Sequence, residues 1–244
     1  VKKIDSPHNE VIKQIATLQT KKGRTQLQQF IAEGVRICST LVESPLECIQ
    51  LYVTENLLAD AQNLLTDAFI TIVPEPCLKK ISTAKTPCGM VGIFAVPPSI
   101  KQKKIEPGIV LANISDPGNM GTLIRSSVAF GYPQIVVIDS VDPWNPKVVQ
   151  ASAGTIGFAQ IVEMSWHELV NHADRPKLAA LVPKKGAPLK QKDMLLAIGN
   201  EAHGLPETWI NECEAKISLP MPGKIESLNA SIAGSIALYI MATQ

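Results

Sequence analysis

The chain has 244 residues, 45 % of them hydrophobic, and a formal net charge of +1. That length buries a real core either as one large domain or as two small ones, and the elements below suggest two. No apolar run approaches the roughly 20 residues of a membrane span, and the opening VKKIDSPHNE has no apolar core behind its lysines, so neither an anchor nor a signal segment is expected.

Asn9 to Leu18 reads as a helix with Val11, Ile12, Ile15, Ala16 and Leu18 on its apolar side. KKGRTQLQQFIAEG follows, a basic polar loop running into a short strand, and then a helix from Val35 to Val42. Cys48 to Thr54 is strand-like, Glu55 to Leu65 helical, and Phe69 to Val73 strand-like; Pro74 to Ile81 is a short helix with proline in its first turn. Met90 to Val96 completes a small α/β unit. PPSIKQKKIEPG, residues 97 to 108, lacks apolar periodicity, which divides the chain into residues 1–97, a linker at 98–107, and residues 108–244.

Beyond the linker the rhythm repeats. Ile109 to Ala112 is a strand, a helix runs from Asn119 as its cap, Gln134 to Ile138 is a strand, Lys147 to Ala153 is helical, and Ala159 to Val162 is a strand. A helix from Ser165, strands Lys177 to Val182 and Leu195 to Ile198, a helix over Pro206 to Glu212 and a strand over Ala215 to Leu219 follow. Such alternation predicts an α/β fold, a mostly parallel sheet with helices on both faces and ligands beyond the carboxyl ends of its strands. The last helix is capped by Ser227 or Asn229; Leu228, Ile232, Ile236 and Ile240 recur at i+4, an apolar stripe, and Gly234 among small residues predicts a closely approached neighbour.

Charge is uneven. Residues 1–105 hold 13 Lys and Arg against 9 Asp and Glu, residues 106–244 hold 10 against 13. The surplus lies early, where Lys21, Lys22, Arg24 and Arg36 form either a solvated surface or a phosphate-contacting patch. Cys38, Cys48, Cys77, Cys88 and Cys213 are odd in number and contain no C-x-x-C, which suits neither a disulfide framework nor a zinc site. A reducing cytoplasm is the expected compartment.

Three segments carry chemistry. Asn113-Ile-Ser-Asp-Pro-Gly-Asn-Met-Gly-Thr-Leu-Ile-Arg-Ser126 joins a strand end to a helix, and no G-x-G-x-x-G occurs in the chain, which argues against a dinucleotide site. Arg125 in that helix either pairs with Asp116 or Glu201 or offers its planar fork to a phosphate. Gly199-Asn-Glu-Ala-His-Gly-Leu205 follows an apolar strand and sets Glu201 at its carboxyl end; His203 has no Ser or Cys nucleophile motif beside it. Leu219-Pro-Met-Pro-Gly-Lys-Ile-Glu-Ser-Leu-Asn229 puts turn formers and free backbone groups at a helix N-terminus, which suits a polar small molecule.

Together, in this order, the segments resemble the motifs of the SpoU (TrmH) family of RNA ribose 2′-O-methyltransferases, in the SPOUT superfamily. Asn113, Asp116, Pro117, Asn119, Gly121 and Arg125 fall on the first motif. Gly199, Glu201 and Gly204 fall on the second, and Pro220, Met221, Gly223, Ser227, Leu228 and Asn229 on the third, with Leu219 where isoleucine is commoner. The first 105 residues, chiefly through FIAEGVR at 30–36, are similar to the small ribosomal-protein-like substrate-binding domain that precedes the catalytic domain in many members.

The resemblance implies a C-terminal trefoil knot with S-adenosylmethionine at the knotted edge, held by Gly199, Leu219, Met221, Leu228 and Leu181. It implies a homodimer through this domain and metal-free attack of a ribose 2′-hydroxyl on the methyl group. It assigns Arg125 to the reacting hydroxyl, with Asn119, Glu201, Ser227 and Asn229 ordering the site. The family casts the arginine as base, but guanidinium stays protonated in proteins, and stabilising an alkoxide beside a phosphate needs no such loss. Members with the N-terminal extension typically modify ribosomal RNA and shorter ones commonly act on transfer RNA, so the resemblance makes structured ribosomal RNA the expected substrate. The alternatives are a transfer-RNA enzyme and a catalytically silent RNA-binding assembly protein.

Overall fold

The alternation of apolar runs and helical stretches resolves into two sheets in a computed structural model, which describes residues 1–98, 104–223 and 227–244. Half of the expected linker, residues 99–103, and residues 224–226 of the loop before the last helix lie outside the described residues.

One unit comprises Val1–Pro98 together with Asp142–Gly157. Its elements are β1 (Lys2–Lys3), α1 (Glu10–Ala16), α2 (Lys21–Leu27), β2 (Gln29–Glu33), α3 (Val35–Val42), β3 (Cys48–Val53), α4 (Leu58–Leu64), β4 (Ile70–Ile72), α5 (Glu75–Ile81) and β5 (Met90–Ala95). The sheet order is β1-β4-β3-β5-β2, with β5 antiparallel to both neighbours and the other pairs parallel. Ile12, Ile15 and Leu18 pack with Leu78 and Ile81 over Ile31, Tyr52, Val91 and Ile93, so the i, i+3 apolar spacing of the first helix is used as read. Val11 is the exception and faces water.

The basic stretch expected as a loop is instead helical. Thr20 caps α2 by accepting from the Gly23 amide at 3.1 Å, and Gln28, at φ 53°, ends it in the left-handed region. A Cβ on Gly23 would stand 2.1 Å from the Thr17 carbonyl oxygen, so glycine at this helical position is there for a close approach. Arg24 also departs from its expected place on a phosphate-facing surface: it is 4 % exposed. Its Nε donates to Asp142 at 2.8 Å and its Nη1 to the Leu18 carbonyl at 2.8 Å. Asp142 opens a segment that the sequence reading gives to the second domain and that packs here; Trp144 meets Phe30 with centroids 5.0 Å apart and the rings tilted by 35°, and Phe30 stacks on Phe94 at 5.7 Å. That segment's short helix, α7 (Pro146–Ala151), lies against β2.

The second unit comprises Ser99–Val141 and Phe158–Gln244. It runs β6 (Gly108–Ala112), α6 (Pro117–Ala129), β7 (Gln134–Ile138), β8 (Gln160–Glu163), α8 (Trp166–Val170), β9 (Lys177–Leu181), β10 (Met194–Ile198), α9 (Glu207–Glu212), β11 (Ala215–Ile217) and α10 (Ala230–Ala242). All six strands are parallel, in the order β11-β9-β10-β6-β7-β8. Alternate residues such as Val110, Val136, Leu178 and Leu195 face Trp166, Leu169 and Trp209 of α8 and α9. Ile198 faces the other way, to α6 and α10, where a Cβ on Gly234 would stand 2.4 Å from Leu123 Cδ2 and 2.6 Å from Ile198 Cδ1. The close neighbour expected for Gly234 is thus a helix and a strand. The expected isoleucine stripe, however, is not the buried face: Ile232 and Ile236 are exposed, whereas Ser231, Gly234, Ala237, Leu238 and Met241 are buried.

From β6 the chain winds outward through β7 and β8, then returns to lay β9 to β11 on the other side, so the order reverses between β6 and β10. In open parallel sheets such a reversal leaves a crevice at the carboxyl ends of the two strands.

Replacing Asp142 by alanine leaves a buried guanidinium without its carboxylate, a loss of about 3–5 kcal/mol for pairs of this kind. Asp142→Ala should therefore lower the urea midpoint well below that of Lys22→Ala, an exposed change expected to stay within about 0.5 kcal/mol. Equal midpoints would return Arg24 to the free surface cations.

Candidate active site

The three chemistry-bearing segments meet at the reversal. After β6, Asn113 takes φ 58° and the chain turns into α6, whose cap is Asp116 and not the expected Asn119: the Asp116 carboxylate accepts from the Asn119 amide at 2.7 Å, with Pro117 at the first helical position. The Asn119 side chain is thereby free to point back, and its Nδ2 donates to Glu201 Oε1 at 3.0 Å. After β10, a Cβ on Gly199 would stand 2.3 Å from the Leu205 amide nitrogen, and Gly204 takes φ +67°, so both glycines are required by the tight loop between them. Asn200 and Gly204 close that loop through paired backbone bonds of 3.1 and 2.8 Å.

Glu201 projects from this loop to the turn after β6. Its carboxylate accepts from Ser115 Oγ at 3.1 Å, the Asp116 amide at 3.3 Å and the Asn119 amide group. Asn200 reinforces the junction, donating from Nδ2 to the Asn113 carbonyl at 3.0 Å. The third segment joins through Asn229, which caps α10 by accepting from the amides of Ser231 and Ile232 and donates from Nδ2 to Asn119 Oδ1 at 3.1 Å. Asn119 accepts on one side and donates on the other, so a single polar chain links Asn229, Asn119 and Glu201. Burial works against the charge on Glu201, but the bonds from Asn119, the loop amides and Ser115 outweigh it and hold the carboxyl below its ordinary value.

Beside this junction opens a cleft of about 360 Å³, a size at which small-molecule sites begin. Every residue expected to hold a cofactor lines it: Leu181, Gly199, Leu219, Met221 and Leu228. Glu201 and Ser227 line it too, while Asn119 and Asn229 act behind it through the bonds above. Its charged lining is acidic, Glu201 and Glu207, and no Lys or Arg lines it among the described residues. Sequence reasoning missed Pro183, Ala230 and Ala233 in the wall; the two alanines were legible as small residues in the first turns of α10 but not as facing outward into a cleft.

Arg125 stands apart. It is exposed on α6, does not line the cleft, and makes no ion pair or hydrogen bond with any described residue. Neither expected pairing forms, because Asp116 is taken up as the helix cap and Glu201 by its four neighbours. In the first unit Lys21 and Lys22 are exposed in the first turn of α2 and Arg36 near the start of α3. No group of three or more His, Cys, Asp or Glu able to hold a metal ion occurs among the described residues, and no helix there is long and apolar enough to cross a membrane. All five cysteines are free thiols.

Comparison with known proteins gives two family matches. The SpoU rRNA methylase family profile matches residues 107–239, and that of the MRM3-like substrate binding domain matches residues 9–92. The 23S rRNA (guanosine(2553)-2′-O)-methyltransferase RlmP of Bacillus subtilis is 26 % identical, covering 98 % of this chain and 98 % of its own. The AdoMet-bound rRNA methyltransferase from Sinorhizobium meliloti matches with a TM-score of 0.84 at 26 % identity, over 99 % of this chain and 97 % of its own. The SpoU methyltransferase AviRb from Streptomyces viridochromogenes, in complex with AdoMet, matches at 0.81 and 25 %, over 97 % of this chain and 98 % of its own.

A carboxyl whose folded pKa is depressed stabilises its contacts above its unfolded value, about 4.3 for Glu, and loses that contribution as pH falls through the folded value. Exchange protection of the Ser115 and Asp116 amides should therefore persist below the ordinary carboxylate range and collapse at lower pH. In Glu201→Gln that acid step should be absent. Protection lost already at the unfolded value would show that the junction does not hold the charge.

Proposed function

The chain belongs to the SpoU rRNA methylase family, and on that premise we propose that it transfers a methyl group from S-adenosylmethionine to a ribose 2′-hydroxyl of ribosomal RNA. The observation that carries this reading is the cleft at the carboxyl ends of β9 and β10, beside a glutamate that binds all three motif segments together. Its lining fits the cofactor. Leu181, Leu219, Met221 and Leu228 offer apolar contact to an adenine ring, Ser227 and the loop backbone offer polar groups, and a wall whose charged members among the described residues are Glu201 and Glu207 suits a sulfonium cation.

When bound, S-adenosylmethionine supplies a methyl group already activated by its positive sulfur. What remains for the protein is positioning and the hydroxyl's proton. Arg125 has no ion pair or hydrogen bond among the described residues, and we assign it to the substrate: its planar fork grips a phosphate next to the reacting ribose and stabilises oxygen charge as the hydroxyl gives up its proton to solvent water. The arginine stays protonated throughout. Asn119, Glu201, Ser227 and Asn229 keep the loop ends in place around the methyl donor.

The same reading extends to the assembly. A second copy covers the apolar face of α10, where Ile232, Ile236 and Tyr239 are exposed, and helps to close the RNA site around Arg125. The last helix threads the loop of a trefoil knot. The first unit, similar to a substrate-binding domain, takes hold of structured RNA through Lys21, Lys22 and Arg36; Arg24 is excluded by its burial. Five free thiols suit a reducing cytoplasm.

Incubating the protein with methyl-labelled S-adenosylmethionine and protein-free ribosomal RNA should place label on 2′-oxygens, recovered as alkali-resistant dinucleotides. Label on bases, or on transfer RNA alone, would contradict the reading. Arg125→Ala should abolish transfer while cofactor affinity stays within a few-fold, and Arg125→Lys should rescue little because the fork is lost. Turnover near wild type in either variant would remove Arg125 from the mechanism.

A further inference from the structure

Residues 175–192 carry Arg175, Lys177, Lys184, Lys185, Lys190 and Lys192 and no carboxylate. This is out of keeping with residues 106–244, which hold 10 Lys and Arg against 13 Asp and Glu. Arg175 is committed to Glu214 at 2.8 Å. Lys177, Lys185, Lys190 and Lys192 are exposed and make no hydrogen bond or ion pair with any described residue.

The path of the chain arranges these cations along the sheet. β9 and β10 are adjacent and parallel, so their connection has to return from the carboxyl end of one strand to the amino end of the other. It leaves β9 through Val182 and Pro183, which line the cleft, and arrives at a second concavity of about 530 Å³ bordered by Lys177, Lys190 and Lys192, with Asp193 as its one acid. The five residues of β9 separate these two ends by roughly 16 Å at about 3.3 Å per residue. No helix makes the crossing. The connection is tied to β11 instead: the Ala187 amide donates to the Lys216 carbonyl at 2.8 Å, the Ser218 amide to the Ala187 carbonyl at 3.1 Å, and Ser218 Oγ to the Gly186 carbonyl at 2.9 Å. Lys185, just before this anchor, takes φ 64°, an uncommon conformation for a residue with a long side chain. Lys177, Lys185, Lys190 and Lys192 therefore stand on or beside a fastened backbone with no ion pair among the described residues, and Asp193 borders the concavity at one end.

We propose that this connection is a phosphate rail, along which Lys185, Lys190, Lys192 and Lys177 hold the backbone of the RNA substrate and lead it toward the cleft. The proposal rests on the RNA-methylating reading above. Ammonium groups on phosphates carry no base code, so the rail adds affinity and orientation and leaves the choice of nucleotide to other groups.

The test replaces Lys177, Lys185, Lys190 and Lys192 together by Gln, and in a second protein by Arg, and measures binding to protein-free 23S ribosomal RNA across a salt titration without cofactor. Four lost contacts should flatten the slope of log affinity against log salt by about 3 units. The Arg variant should keep the wild-type slope, and both should bind S-adenosylmethionine as wild type does. In the wild type, bound RNA should protect the same four amines from acetylation. An unchanged slope, unprotected amines, or cofactor affinity that falls in step with RNA affinity would overturn the rail. Failure of the wild type to methylate ribose would sink the functional reading instead, whatever the slopes show.

Discussion

The carboxylate of Glu201 joins the ends of two neighbouring parallel strands, and the geometry of the proposed active site follows from that junction. β6 and β10 are held side by side by their ladder, but the turns that leave them have no ladder of their own. Glu201 supplies one, accepting from Ser115, the Asp116 amide and Asn119, and through Asn119 it reaches the cap of α10. Hydrogen bonds to a charged acceptor are worth about 1.5–3 kcal/mol each, more than neutral ones. That excess is why a partly buried carboxyl here remains ionised in spite of the desolvation that opposes it.

Packing beneath the junction sets where its members stand. α10 lies close to α6 because Gly234 has no side chain to hold Leu123 away, and Ser126 and Ser235 share a hydrogen bond of 2.7 Å between the same two helices. A helix interior loses about 1 kcal/mol by having glycine in place of alanine, which the close contact offsets. The approach also brings the first turn of α10 to the cleft, where Ala230 and Ala233 form wall without filling it. Sequence, helix seat and site geometry are thus one chain of causes: small residues allow the approach, the approach positions Asn229, and Asn229 fixes the rotamer of Asn119.

Much of this was legible in the sequence. Strand-helix alternation located the second sheet to within a residue or two, and the motif segments contain four of the five expected cofactor residues that line the cleft, Gly199, Leu219, Met221 and Leu228, the fifth being Leu181 at the end of β9. Misread features share a cause, which is that local pattern does not report a distant partner. Arg24 reads as a free cation because Asp142 is 118 positions away, and residues 142–157 read as part of their flanking strands' domain because Phe30, which Trp144 meets, lies far upstream. α2 reads as a basic polar loop because its buried side, Gly23 and Arg24, is made by distant partners, the Thr17 carbonyl and Asp142. In α10 the larger side chains suggested the buried face, yet the helix is apolar nearly all round, and the small residues were chosen for the closer contact.

The central claim is that the Glu201 junction shapes the cleft proposed for the cofactor, and isothermal titration of S-adenosylmethionine into wild type and Glu201→Gln tests it most directly. Glutamine keeps the size of the side chain but turns one acceptor oxygen into a donor, for which the Asn119 Nδ2 and the Asp116 amide, themselves donors, have no use. Wild type should bind the cofactor, and the variant should bind at least about tenfold more weakly, a difference of about 1.4 kcal/mol, with its thermal midpoint close to wild type. Equal affinities would contradict the account and leave the carboxylate without a part in forming the site.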